Sequence, residues 1–282
     1  ELAEAIRPRP VPAVSGETVL EWAPYGVVLG WHAANSPVWV PTLVAASALV
    51  GGNAVLARPS SRARRTTALV LDGADLEAAA GAAALGGFAN GGQLCMAAKR
   101  IIVERAVWEG FRPRLVEAVA ALRLGDPDDP ATDVAPVPEG PALARARAAL
   151  AEALGLGARV LVGEGERGAH FTPTVLELPP PARAGALWRE ESFAPLRGLA
   201  VAADAAEAVA LANDSPYALG AAVFGGPPWV PERLRAARVV VGEGPLYQDP
   251  HLVVGGVGDS GLAGARPKLE QLVWARRVHR AG

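Results

Sequence analysis

The chain has 282 residues, 51% of them hydrophobic and 20% charged, an ordinary soluble balance that provides for one large or two ordinary domains. A formal charge of -2 gives no reason to expect nucleic acid, and no apolar run reaches the length that spans a bilayer. A single cysteine excludes an internal disulfide, so nothing asks for an oxidising compartment. Residue 1 is Glu, so the chain is expected to be processed, cropped or part of a longer product. No cationic stretch followed by an apolar one opens it, and cytoplasm is the expected location.

Residues 26–59 read as one β-α-β unit: the apolar run Gly26 to Gly30, a helix from about Pro37 to Val50, and a second strand from Asn53 to Arg58. Pro37 suits a first helical turn and Gly51-Gly52 suit a helix end. Both strands are apolar without alternation, as for a parallel sheet covered on both faces, and a dinucleotide-binding half begins in this way. From Ser60 to Thr67 the chain is too short for a crossover helix and reads as a linker.

A strand at Ala68 to Leu71 then leads to a helix from about Asp75 to Leu85, a loop, a strand at 100–104 and a helix from about Val107 to Leu122. Past the proline-rich connector at 127–140 come a helix at 141–154, a strand at 159–162 and an extended piece at 171–176. Helices at 205–212 and 231–237 alternate with strands at 221–224 and 239–241. Strands alternating with helices imply an α/β fold. His32, His170, His251 and His279 lack metal-ligand spacing, and no metal site is assigned.

The cysteine is Cys95, in Gly91-Gly92-Gln93-Leu94-Cys95, preceded by Gly87-Phe88-Ala89-Asn90 and followed by the strand-like Arg100-Ile101-Ile102-Val103. A lone cysteine is usually a small buried apolar residue. This context, however, resembles the nucleophile segment of the aldehyde dehydrogenase superfamily, in which a thiolate adds to an aldehyde and the thiohemiacetal gives up hydride to a nicotinamide.

Other stretches resemble the same family in the same order. Pro24 to Val28 is similar to its first cofactor strand. Ala34-Asn35-Ser36-Pro37 resembles its Asn-x-Pro turn, which makes Asn35 the implied oxyanion donor together with the Cys95 backbone N–H. Asn35 fits a turn or helix-capping role equally well. Gly52 to Ser60 resembles the second cofactor strand, with Arg58 where a lysine holds the adenosine ribose, and Ser61 stands where NAD-preferring members often carry Glu. Arg58, Arg62, Arg64 and Arg65 suit either a 2′-phosphate, favouring NADP, or a solvated basic linker.

Glu190-Glu191-Ser192-Phe193-Ala194-Pro195 resembles the Glu-x-Phe-Gly-Pro segment, so Glu191 is implied to hold the nicotinamide ribose and Phe193 to flank the ring. Phe171 to Leu176, Leu211 to Tyr217 and Gly255 to Gly261 complete the resemblance, with Val253-Val254 replacing the usual Pro-Phe.

The family's glycine-rich pyrophosphate turn and its Glu-Leu-Gly-Gly element are absent, and the chain runs straight on at Thr66 to Ala68. The resemblance therefore implies an aldehyde dehydrogenase-like α/β protein with a truncated Rossmann-type lobe and a nearly complete catalytic domain. The expected divisions are a partial dinucleotide lobe at 1–66, a catalytic domain at 67–262 and a C-terminal tail at 263–282. Within that tail, Leu269 to Val278 suits an oligomerisation strand or a short amphipathic helix. The implied activity is oxidation of a small-molecule aldehyde with NAD or NADP, by a homo-oligomer or beside a partner subunit. The missing phosphate turn implies weak dinucleotide binding. That leaves two alternatives: a structural or assembly subunit, and cofactor-free thiol esterase or acyl-transfer chemistry.

Overall fold

Contacts divide the chain into two units, one formed by residues 1–63 with 265–282 and the other by 64–264. The computed structural model describes residues 6–12, 17–33, 39–60, 66–167, 170–247, 257–258 and 273–280. Asn35 and Ser61 lie outside the described residues, as do most of Gly255 to Gly261 and Val253-Val254.

In the first unit, β1 (Arg9–Val11) pairs antiparallel with β2 (Glu17–Pro24), whose other edge takes the C-terminal strand Val273–Arg280 in antiparallel register, Val273 opposite Pro24 and Arg280 opposite Glu17. The segment expected to be a strand or a short helix is thus a strand from Val273. The β-α-β unit follows as β3 (Val27–Ala33), α1 (Trp39–Val50) and β4 (Ala54–Ser60), the two strands parallel with Leu29 opposite Leu56. Buried Asn53 ties it together: its Oδ1 accepts from the Gly26 N–H at 3.0 Å and its Nδ2 donates to the Ala48 carbonyl at 3.1 Å. One side amide thus joins the end of α1 to the starts of both strands.

The expectation that this sheet is covered on both faces is corrected. Alternate residues of a strand point to opposite faces. Val27, Leu29 and Leu56 share one face and remain 68%, 61% and 62% exposed, while Val28 and Val55 are half-buried on the other.

The second unit begins at β5 (Thr66–Val70), α2 (Leu76–Phe88), β6 (Ala98–Glu104) and α3 (Arg105–Ala120). Then come α4 (Pro141–Gly155), β7 (Arg159–Val162), the small hairpin of β8 (Glu166–Arg167) and β9 (His170–Phe171), and β10 (Thr174–Glu177). After α5 (Ala186–Arg189) come β11 (Leu196–Ala202) and α6 (Ala205–Asn213). The short β12 (Tyr217–Ala218) precedes β13 (Gly220–Phe224), α7 (Val230–Arg233), β14 (Arg238–Val241) and β15 (Val257–Gly258), which pairs with β12. The Val273–Arg280 strand is then β16.

Seven strands form one sheet in the order β14-β13-β5-β6-β11-β10-β7, parallel throughout except for β7. Both faces are covered, which is why β5 and β13 are buried end to end and β6 all but its last residue. Leu69, Leu71 and Ile102 pack on one side with α4, α5 and α6; Val70, Ile101 and Val103 pack on the other with α2 and α3. The strand β11 was not among the expected elements, although it lies inside the sheet between β6 and β10.

Asp75 caps α2, accepting from the Glu77 and Ala78 N–H groups at 3.1 Å each, and the helix is largely alanine, so it lies close on the sheet. Gly81 is exposed in its middle, and a Cβ there would meet nothing within 4 Å. Gly81→Ala is therefore expected to stabilise the protein by about 0.5–1 kcal/mol, read as a small rise in denaturant midpoint.

The helix expected at 231–237 is shorter. After Arg233 the chain is drawn off by Asn213, whose Nδ2 donates to the Arg233 carbonyl at 2.8 Å and whose Oδ1 accepts from the Arg235 N–H at 2.7 Å. Side-chain hydrogen bonds here replace the helical ones.

Candidate active site

Cys95 and the Glu191-Phe193 segment are far apart in sequence and meet because of strand register. Parallel neighbours β6 and β11 pair with Arg100 opposite Gly198, so the loops that lead into them enter from the same edge of the sheet. The strand β5 begins there too, with Thr66 opposite Ala98, and the Thr66 hydroxyl donates to the Cys95 carbonyl at 3.5 Å. The site thus sits at the amino ends of the parallel strands, not at the carboxyl ends where open α/β sheets usually bind ligands.

Local sequence makes the turn that carries the thiol. After α2, three successive residues adopt left-handed backbone: Asn90 at φ 52, Gly91 at φ 62 and Gly92 at φ 72. Glycine takes this conformation without steric cost, and asparagine tolerates it better than most side chains. Gln93 closes the turn on the Asn90 carbonyl twice, through its backbone N–H at 3.1 Å and its Nε2 at 3.2 Å. Cys95 follows as a free, half-buried thiol.

Two buried cations pin this turn. Arg197 of β11 is 0% exposed, and its guanidinium lies 5.4 Å from the Phe88 ring. Its Nε donates to the Gly87 carbonyl at 2.8 Å, Nη1 to the Ala194 and Leu196 carbonyls at 2.9 and 2.6 Å, and Nη2 to the carbonyls of Gly87 and Gly92. Lys99 of β6 is 1% exposed; its Nζ donates to the Gly92 carbonyl at 2.6 Å, pairs with Glu191 Oε1 at 3.3 Å and lies 4.8 Å from the centre of the Phe193 ring. The Gly92 carbonyl therefore accepts from both cations, and Glu191 and Phe193 are joined to the thiol loop through Lys99.

Burial, and after it the charge of Arg197, lower the Lys99 ammonium from its ordinary value to about 7, against the opposing pull of Glu191 and Cys95. Arg238, the first residue of β14, is lowered by burial while the Cys95 charge pulls it back. Lys99 and Arg238 thus both lie within electrostatic reach of the Cys95 thiol.

Arg100, next to Lys99, points to the opposite face of the sheet. It donates to Thr67 Oγ1 at 3.0 Å and to the Leu211 and Ala212 carbonyls at 3.1 and 2.7 Å, holding the end of α6, and lies over the Trp188 ring.

Of the residues expected at the site, Cys95, Glu191 and Phe193 thus come together within the second unit. Arg58 is a residue of β4 in the first unit. Asn35 and Ser61, the expected oxyanion donor and cofactor residue, belong to the segments outside the described residues. Lys99 and Arg197 were missed by sequence reasoning. The available signal was a charged residue at the head of, or inside, an otherwise apolar strand: Lys99-Arg100 before Ile101-Ile102-Val103, and Arg197 after Pro195. Among the described residues, no group of three or more His, Cys, Asp or Glu side chains could hold a metal, and no helix is long and apolar enough to cross a membrane.

The model of the aldehyde dehydrogenase family matches residues 65–273. The chain is 37% identical over 202 residues to succinate semialdehyde dehydrogenase [NAD(P)+] Sad of Escherichia coli K12, a match covering 69% of this chain and 43% of the relative. To vanillin dehydrogenase of Pseudomonas fluorescens it is 35% identical over 217 residues, 74% of this chain and 44% of the relative. The chain thus spans less than half the length of these curated relatives.

Two solved structures share the fold. A 3,6-anhydro-L-galactose dehydrogenase in complex with NAP superposes with a TM-score of 0.85 at 24% identity, over 98% of this chain and 76% of that one. The succinate-semialdehyde dehydrogenase of Burkholderia pseudomallei gives 0.86 at 21%, over 99% and 75%. With the family model covering most of its length, this α/β chain belongs to the aldehyde dehydrogenase family.

Proposed function

We propose that the chain oxidises a small aldehyde through a covalent intermediate on Cys95, with NAD or NADP as hydride acceptor. The observation that carries the reading is the half-buried Cys95 thiol, set on a turn pinned by Lys99 and Arg197 beside Glu191 and Phe193. In this reading the thiolate attacks the carbonyl carbon and the carbonyl oxygen takes up the negative charge. The Cys95 backbone N–H would donate to that oxyanion, and the family resemblance makes the Asn35 side-chain amide the second candidate donor. With a dinucleotide bound to accept it, hydride loss from the thiohemiacetal carbon would leave a thioester on Cys95, and water would then release the acid and restore the thiol.

The chemistry that NAD(P) supplies when bound is acceptance of this hydride. Glu191, a buried carboxylate, and Phe193, a ring at the same edge, suit the ribose hydroxyls and the nicotinamide face in kind; Arg58 and Ser61 would serve the adenosine end. The reading includes action in the cytoplasm, as a homo-oligomer or beside a partner subunit. The relatives' names make succinate semialdehyde and vanillin the first aldehydes to try. Mixing the protein with either aldehyde and NAD or NADP should give a saturable rise in reduced-cofactor absorbance. No reduction of either cofactor at millimolar concentration would remove the dehydrogenase reading.

A second reading, cofactor-free acyl transfer through Cys95, is favoured by the first unit. Among the described residues its parallel sheet consists of β3 and β4, with Val27, Leu29 and Leu56 open on one face. Each phosphate contact that such a lobe lacks is a charge-assisted hydrogen bond lost to a dinucleotide. Thiol attack on an acyl group needs none of them.

A further inference from the structure

Among the described residues Lys99 is the one buried amine of the thiol site, and the family resemblance assigns it no task. Three contacts fix its Nζ: the Gly92 carbonyl at 2.6 Å, Glu191 Oε1 at 3.3 Å and the Phe193 ring at 4.8 Å. The charged groups that face it are Arg197 from β11, Glu191 from the loop before β11 and Cys95 from the loop before β6. At 1% exposure it cannot touch a substrate, so its influence must pass through the groups it holds.

Those groups are the two halves of the site. Gly92 lies in the left-handed turn three residues before Cys95, and Glu191 belongs to the segment that approaches from β11. Register also places Lys99 beside Arg197 on neighbouring strands, since Arg100 faces Gly198. Two like charges so placed repel, and Glu191 with the shared Gly92 carbonyl offsets that repulsion. We propose that Lys99 is a positioning residue: its ammonium clamps the Gly92 carbonyl to the Glu191 carboxylate and thereby fixes the turn that presents Cys95. Loss of the proton loosens the clamp, so presentation of the thiol depends on pH independently of the thiol's own ionisation. The inference rests on the reading of Cys95 as the reacting thiol.

Alkylation of Cys95 by iodoacetamide tests this without aldehyde or cofactor, and because the chain has one cysteine, intact mass reads a single site. Rates would be taken across about pH 5.5 to 9.5, a window that brackets the Lys99 titration. The wild-type profile should carry an inflection near 7, where the Lys99 ammonium titrates. Lys99→Met should lose that inflection and react about tenfold more slowly at low pH, and the double variant Lys99→Met with Glu191→Gln, which leaves no carboxylate charge unpaired, should do the same. Lys99→Arg keeps a cation that does not titrate, so it should retain the low-pH rate while losing the inflection. An inflection near 7 that survives in Lys99→Met or Lys99→Arg would overturn the proposal, as would a wild-type profile with none. A protein that fails to reduce NAD(P) yet shows the Lys99-dependent inflection would sink the dehydrogenase reading alone.

Discussion

Cys95→Ala should lower aldehyde oxidation about a thousandfold or more and abolish acylation by activated esters. The step at stake is formation of the carbon–sulfur bond. No second cysteine is present to take it over. Stability should hardly change. The turn is held by Lys99, Arg197 and the hydrogen bonds of Gln93, none of which uses the sulfur, and a half-buried thiol contributes little packing. A melting temperature within about 2 °C of wild type is expected, as for substitutions that touch no buried network. Cys95→Ser refines the test: it keeps the shape, but a hydroxyl is scarcely ionised near neutrality, so it should be nearly as inactive. A variant that loses activity together with its melting transition would instead mark Cys95 as a packing residue.

Gly92→Ala should be the most damaging change to stability. A Cβ at this position would sit against Arg197 Nη2 and 2.6 Å from the Ala194 carbonyl oxygen. These are poor neighbours to displace, because Arg197 distributes its buried charge over the carbonyls of Gly87, Gly92, Ala194 and Leu196. Moving the guanidinium leaves some of those groups without their donor, and φ of 72 adds the strain of left-handed backbone for alanine. Together these imply a loss of about 3–5 kcal/mol, or a fall of roughly 10 °C in melting temperature for a chain of this size. Gly81→Ala, the same substitution on an open helix surface, should move the melting temperature slightly the other way, so the contrast shows the combined cost of the Arg197 contact and the left-handed backbone. If Gly92→Ala melts like wild type, the buried Arg197 network does not hold the thiol loop.

The sequence was most legible where local signals were uninterrupted. The first β-α-β unit, the helix after Asp75, the strand at Ile101 to Val103 and the helix at 141–154 all announce themselves through apolar runs, a capping residue or a helix-starting proline. The strand β11 did not, because Arg197 and Gly198 break its apolar run; the arginine is accommodated by carbonyls that only the fold assembles, and the glycine by Leu178 and Trp188, which crowd the place a Cβ would take. The pairing of β2 with β16 joins opposite ends of the chain, beyond the reach of any local pattern.

The site divides in the same way. Cys95, Glu191 and Phe193 were readable from motifs, since each motif is contiguous. Lys99 was not, because its role comes from the register of β6 against β11 and not from its neighbours in sequence. The open face of the first sheet differs from expectation for a related reason: composition shows that β3 and β4 are apolar, but not how many strands or helices are present to cover them.

The most direct trial of the central claim, that Cys95 is the group that bonds to carbonyl carbon, is to mix the protein with p-nitrophenyl acetate without cofactor, record the release of nitrophenol and map the labelled peptide. The account predicts a burst close to one equivalent per chain, with the acetyl group on the peptide containing Cys95 and no burst in Cys95→Ala. Acetylation at other residues while Cys95 stays unmodified, or an equal burst from Cys95→Ala, would contradict it.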